Sequence, residues 1–201
     1  MTEKKERVIS LFTEAGAKLI EGIKLLDPSL EDDENFIRTD ERFAKGFFEL
    51  IEGTGATGEE LDVTFKEGRY DEMITVGPIC VVTVCPHHLL PVIMSIHVGY
   101  IPKEKVVGLS KLVRVARRLA HRAVLQEKLT RDIVDEITNK LRARGAICFI
   151  KAWHACMFSR GVKEMTPVTT SAVTGIFLTE PTAKDEFFKL LEQTKNSSIL
   201  S

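Results

Sequence analysis

Along the first quarter of the chain, apolar side chains recur at helical intervals. Val8, Ile9, Phe12, Leu19, Ile20 and Ile23 predict an amphipathic helix over 6–26, with Gly16 and Gly22 as its weak points. Asp27-Pro28 ends it, because proline cannot extend a helix. The acidic run 31–34 reads as a solvated connection or the first turn of the next element. Phe36, Phe43, Phe47 and Leu50 then predict a second helix over 35–51. The Gly53-Thr54-Gly55-Ala56-Thr57-Gly58 segment follows a helix and lacks the Lys-Ser/Thr ending of a phosphate loop, so it reads as a flexible turn.

From Leu61 the period drops to two. Leu61, Val63 and Phe65 alternate with polar neighbours, and 73–84 is β-branched and apolar apart from Gly77-Pro78. A further strand over 91–101 puts Val92, Met94, Ile96, Val98 and Tyr100 on one face and Ile93, Ser95 and His97 on the other. His97 reads as a satisfied sheet residue. Helical spacing returns after Gly108, with Ser110 as the expected cap and Leu112, Val115 and Leu119 on the buried side. Gln126-Glu127 would separate that helix from one over 130–144, whose Ile133, Ile137 and Leu141 face inward and which Gly145 would end. A strand over 146–159 would carry Cys148, Ile150, Ala152, His154, Cys156 and Phe158 on one side. A short strand is expected from Thr169 through Phe177, then a helix over 182–193, opened by Thr182 with Asp185 in capping-box position and Pro181 just outside. Residues 197–201 read as a loose tail.

The pattern is α+β: a helical region over 1–60, a sheet-bearing domain over 61–195 and a tail over 196–201. Composition narrows the class. An apolar content of 44 % with 28 % charged residues is that of a soluble globular protein, and a net charge of −1 argues against a diffuse nucleic-acid surface. No apolar run is long enough to span a bilayer, and the charged start Met1–Arg7 is unlike a signal peptide, so no membrane partner is expected. Four cysteines without a secretion signal point to a reducing compartment, the cytoplasm, and to metal or catalytic use.

The chemistry concentrates at Cys85-Pro86-His87-His88-Leu89-Leu90-Pro91. Cys85 and His88 have the spacing by which one turn of backbone offers a thiolate and an imidazole, the pairing zinc prefers. A third ligand is best sought in Trp153-His154-Ala155-Cys156, where His154 and Cys156 would share a face if the segment is a strand. The bland alternative is a small buried thiol beside ordinary polar histidines. Lys111, Arg114 and Arg118, at i, i+3 and i+7 from a helix N-terminus, form either a phosphate-binding stripe or a solvated basic face. Cys80 and Cys148 read as buried structural thiols.

These motifs, in this order, resemble a known family. Cys-x-His-His-Leu-Leu-Pro at 85–91, Tyr100-Ile101-Pro102, Val107 to Arg114, Gln126 to Thr130, His154 to Met157 and Arg160-Gly161-Val162 are similar to GTP cyclohydrolase I over about 71–191. The resemblance implies a tunnelling fold, an antiparallel sheet with two helices on one face. Its copies join into rings, and two rings stack as a homodecamer with active sites between subunits. It implies zinc on Cys85, His88 and Cys156, with a fourth position open to water whose pKa the metal lowers. His154 would donate a proton to the imidazole ring of the base, and His87 would assist proton transfer in ring opening. Glu127 would hold the guanine edge, helped by Gln126 and backbone groups around Val107 and Leu109. Ser110, Lys111, Arg114 and Arg160 match the triphosphate positions. The implied reaction is hydrolysis of GTP at C8, loss of formate and closure to dihydroneopterin triphosphate.

The chain departs from the family pattern at Pro86, where Glu is usual, at Lys151 and Trp153 beside His154, and at Val124. Two other readings stand beside this one, the first motivated by Pro86, Lys151 and Trp153. One keeps the fold but stops after opening the purine; the other is a zinc-stabilised binding module, which would require a fourth protein ligand.

Overall fold

The structure, a computed structural model, describes residues 3–65 and 70–196; of the expected loose tail, residue 196 ends a helix and 197–201 lie outside the described residues. The chain forms two compact units, Met1–Glu52 and Gly53–Ser201.

In the first unit, helix α1 (Glu3–Leu26) packs on α2 (Thr39–Ile51). Gly16, expected to weaken α1, is where the helices approach: a Cβ there would lie 3.0 Å from both the Asp40 Cα and the Phe43 ring. Phe12 meets Phe47 edge-on at 5.1 Å, and Phe43 stacks on Phe47 at 5.7 Å. The second helix begins at Thr39 rather than at 35, because two 3-10 turns intervene. Asp27 and Asp33 cap these turns by accepting the Ser29 and Asn35 N–H groups at 3.0 and 2.9 Å.

The second unit is built on an antiparallel sheet in the order β2-β3-β5-β6. Its strands are β2 (Ile74–Val84), β3 (Pro91–Ile101), β5 (Gly145–His154) and β6 (Val168–Val173). A separate two-stranded ribbon pairs β1 (Thr64–Phe65) with β4 (Val106–Val107), so among the described residues the alternation from Leu61 yields two paired residues. Strand β3 follows its pattern over its full length. Val92, Met94, Ile96, Val98 and Tyr100 are at most 2 % exposed. They form one core with Leu112, Val115 and Leu119 of α3 (Leu109–Ala120) and Leu129, Ile133 and Ile137 of α4 (Gln126–Leu141). Each such side chain contributes about 1.5–3 kcal/mol by leaving water. Helices α3 and α4 thus share one face of the sheet.

On the opposite face Ile101, Ile147 and Phe149 meet Phe177 of α6 (Ile176–Thr179) and Phe187 of α7 (Pro181–Asn196). Pro181 is the first residue of α7 rather than just outside it, which suits a residue without an N–H. The last strand ends at Val173, so Phe177 is helical. Other boundaries also move. Gln126 and Glu127 begin α4 instead of preceding it, and Arg142, in the left-handed region at φ 49°, ends that helix while Gly145 opens β5. Ser110 does not cap α3, whose N-cap is Gly108.

The basic stripe loses Arg118. Its Nε donates to Glu60 at 2.7 Å and its Nη2 to Glu136, and its side chain is only 12 % exposed. It anchors the 53–62 segment to α3 and α4 rather than facing solvent. Cys148 is buried as expected, and with no charge nearby to compensate, burial pushes its thiol far up. Cys80, by contrast, is exposed on β2.

Candidate functional site

Strand register brings the site together. At the end of the sheet Val84 pairs with Pro91 and Val92 pairs with His154, so the β2–β3 loop and the end of β5 are neighbours. That loop closes tightly: the Leu89 N–H donates to the Cys85 carbonyl at 2.8 Å, and the Cys85 N–H to the Leu90 carbonyl at 2.9 Å. Leu89 sits at φ +53°, a left-handed conformation that is unfavourable for a leucine and is held by these bonds. The turn leaves the Cys85 Sγ 3.8 Å from the His88 Nδ1.

Cys156 arrives by a different route from the expected one. Strand β5 stops at His154, and the chain enters a single helical turn, α5 (Ala155–Phe158), closed by the Ser159 N–H donating to the Ala155 carbonyl at 2.9 Å. Cys156 therefore does not share a strand face with His154. The turn instead brings it to the β2–β3 loop, and the ligand atoms of Cys85, His88 and Cys156 lie within 4.8 Å of one another. Burial, and then the neighbouring Cys85, push the Cys156 thiol above its ordinary pKa, while Arg160 opposes them. Two thiols and an imidazole on two converging segments are a donor set that fits a thiophilic divalent cation, whose binding would displace the thiol protons.

His154, beside Cys156 in sequence, faces α4. Its Nε2 is 2.9 Å from the Gln126 Oε1. Burial lowers its pKa, with Glu127 at the start of α4 pulling the other way. A half-buried, readily deprotonated imidazole beside a carboxylate is suited to exchanging protons near neutral pH. The His87 ring stands edge-on to that of His88, with centroids 6.2 Å apart, and is exposed. Glu127 is exposed and Gln126 is buried. The Gln126 side chain, expected near the base, is committed to protein partners, which leaves its backbone and Glu127 for a ligand.

Val107 and the start of α3 that follows it lie by Tyr100, at the far end of β3 from the turn that carries Cys85, which adjoins Pro91. Val107 is buried on β4, its N–H donating to the Tyr100 hydroxyl at 3.3 Å. Leu109, Ser110, Lys111 and Arg114 occupy the first two turns of α3, with Leu109, Ser110 and Arg114 exposed. Among the described residues, no hydrogen bond or ion pair joins them to the Cys85 cluster, so within one chain the fold does not bring the two groups together. Arg160, also exposed, is close enough to Cys156 to influence it. Two site-supporting residues had no role assigned from the sequence, Thr130 and Thr170. Both hold Gln126: Thr130 from one turn along α4, and Thr170 from β6, whose place beside α4 only the fold reveals.

Comparison with known proteins agrees with the geometry. The family model described as GTP cyclohydrolase I matches residues 18–192. The chain is 40 % identical over 192 residues to GTP cyclohydrolase 1 of Chlorobaculum tepidum, covering 94 % of this chain and 84 % of the relative. To the protein of that name from Chlorobium chlorochromatii it is 41 % identical over 163 residues, covering 80 % and 73 %. To that of a Hydrogenobaculum species it is 41 % identical over 181 residues, covering 88 % and 97 %. With a family model spanning most of the chain and relatives covered over most of their own length, this protein belongs to the GTP cyclohydrolase I family.

Proposed function

We propose that this protein hydrolyses GTP at C8, releasing formate and forming 7,8-dihydroneopterin triphosphate, with zinc held by Cys85, His88 and Cys156. The observation that carries the reading is the approach of those three ligand atoms to within 4.8 Å, from segments some seventy residues apart. A metal held by three protein ligands keeps a position for the reaction, as catalytic zinc sites do. Zinc there would supply Lewis acidity, which makes water a usable nucleophile near neutral pH.

The protein's own groups do the rest. Glu127, a carboxylate at the first turn of α4, accepts two N–H bonds from the guanine edge; adenine lacks that pair of donors, which gives the preference for guanine. First-turn N–H groups of a helix have no intrahelical acceptor, so the backbone of Gln126 is available to the base as well, with groups around Val107 and Leu109 completing the contact. His154 carries a proton to the imidazole ring of the base, and its lowered pKa makes it a readier acid once protonated. His87 assists proton transfer in ring opening. Ser110, Lys111 and Arg114, on the N-terminal turns of α3, and Arg160 hold the triphosphate, where cationic side chains and helix N–H groups act together.

The same reading makes the sheet-bearing unit a tunnelling fold whose copies form rings, stacked as a homodecamer in the cytoplasm with sites between subunits. It is supported by β2 and β6 standing at the two ends of the sheet, where each offers a hydrogen-bonding edge to a neighbour. Incubating the zinc-loaded protein with GTP should release formate and, after oxidation, a fluorescent pterin. GTP left unconsumed would overturn the proposal.

A further inference from the structure

The hydrogen-bonded side chains behind His154 have no part in the scheme above. Gln126 is 3 % exposed, and its Nε2 lies 3.3 Å from the Ile150 carbonyl, 3.2 Å from the Val168 carbonyl and 3.1 Å from the Thr170 Oγ1. One turn along α4, the Thr130 hydroxyl donates to the Gln126 backbone carbonyl at 2.7 Å and lies 2.7 Å from the Thr170 hydroxyl.

The directions of these bonds follow from counting hydrogens. A hydroxyl has one hydrogen to give. Thr130 spends its own on the Gln126 carbonyl, so Thr170 must donate to Thr130. The Thr170 oxygen is then an acceptor, and the Gln126 amide nitrogen supplies the hydrogen. Flipping the Gln126 amide would set its oxygen against the carbonyls of Ile150 and Val168, acceptor against acceptor in a buried site, at the full cost of an unmade bond. Its Oε1 therefore faces His154 and can only accept. The hydrogen between them, across 2.9 Å, belongs to the His154 Nε2.

We propose that the Gln126 side chain is a positioning group and not a base contact, which leaves to the base only the backbone of that residue. Its side chain holds neutral His154 as the Nε2–H tautomer in one ring orientation, leaving Nδ1 as the nitrogen that exchanges a proton. The Ile150 and Val168 carbonyls, with Thr170 oriented by Thr130, keep the amide from turning over. The proposal rests on the reading of His154 as a proton-transfer residue. It also makes the edge strand β6, through Thr170, part of what sets that histidine.

The direct check is neutron diffraction from deuterated crystals at mildly alkaline pH. Deuterium should appear on the His154 Nε2 and not on Nδ1; deuterium on Nδ1 alone overturns the proposal. The kinetic check compares Gln126→Leu, Thr170→Val, His154→Ala and the double variants of the zinc-loaded full chain with GTP. Gln126→Leu should lower kcat about 10- to 100-fold, as loss of a partner that orients a site histidine does, with KM and zinc content within about twofold of the parent. In the His154→Ala background it should cost nothing further. Thr170→Val leaves Gln126 in place and covers the case in which Gln126→Leu does not fold; it should show the same split with a smaller loss, about three- to tenfold. A raised KM at unchanged kcat, or losses that multiply with those of His154→Ala, would assign Gln126 to the base and overturn the proposal. If His154→Ala itself turns over GTP normally, the reading of His154 fails, and the hold by Gln126 loses its catalytic meaning with it.

Discussion

Replacing Arg118 with methionine should be among the most damaging single changes in the sheet-bearing unit, although Arg118 touches no site residue. Its guanidinium lies between two carboxylates, Glu60 at 2.7 Å and Glu136, with the three side chains only 12 %, 18 % and 18 % exposed. The Glu60 Oε2 is buried with no hydrogen-bond partner among the described residues, so removing the cation leaves two poorly solvated negative charges facing each other. Breaking a buried pair from one side costs about 3–5 kcal/mol, and residual water access argues for the lower end, about 3 kcal/mol. For a chain of this size that is a fall of about 6–12 °C in Tm. Urea and thermal unfolding should be compared at one fixed protein concentration, because assembly would shift both. Two controls separate the cause from general damage. Lys18→Ala removes an ion pair whose partners are 78 % and 57 % exposed and should leave the urea midpoint unchanged. Replacing Glu60, Arg118 and Glu136 together with methionine should recover most of the lost stability, since no unpaired charge remains. An Arg118→Met loss below about 1 kcal/mol, or a triple variant no better than the single one, would refute the reasoning.

Other consequences are smaller or more local. Gly175→Ala should destabilise by about 1–3 kcal/mol in urea unfolding, because φ is +54° and the added Cβ would meet the Arg144 carbonyl oxygen. Chelation of bound metal should abolish GTP consumption while far-UV circular dichroism stays unchanged, as for a catalytic rather than a structural site; loss of the spectrum would contradict this. For Asp132, burial alone would raise the pKa, but bonds from Lys128 and Arg122 outweigh it and leave it below 3.8. A carboxyl depressed on folding stabilises above its unfolded pKa and loses that contribution as pH falls through the folded one. The urea midpoint of the parent should therefore drop below about pH 4 more steeply than that of Asp132→Asn. Equal slopes would count against it.

Much of this was legible in the chain because burial writes a period. The core-facing positions of strand β3, Val92 through Tyr100, are all buried as their period of two requires, and the bounds of the strand emerge unaltered. The apolar faces of α3 and α4 are equally plain, as is the thiol and imidazole content of the 85–91 loop. What stayed hidden depends on groups that pair across the fold. The start of α4 has no side-chain cap, since Leu125 precedes it, so its first turn looked like a linker. Alternation through Phe158 suggested a continuing strand, whereas one helical turn is what swings Cys156 toward Cys85. Arg118 looked like a third member of a phosphate stripe because Glu60 and Glu136, its actual partners, lie 58 and 18 residues away. Thr170 was only another polar residue in a β-prone stretch until the pairing of β6 placed it against Gln126.

The central claim is that Cys85, His88 and Cys156 hold one zinc ion with a place left for the reaction. X-ray absorption at the zinc edge of the resting protein tests it most directly. The account predicts one ion per chain with two sulfurs at about 2.3 Å, one imidazole nitrogen and one light, non-protein ligand at about 2.0 Å, and one sulfur fewer in Cys156→Ser. A shell closed by four protein ligands, or a spectrum unmoved by Cys156→Ser, would contradict it.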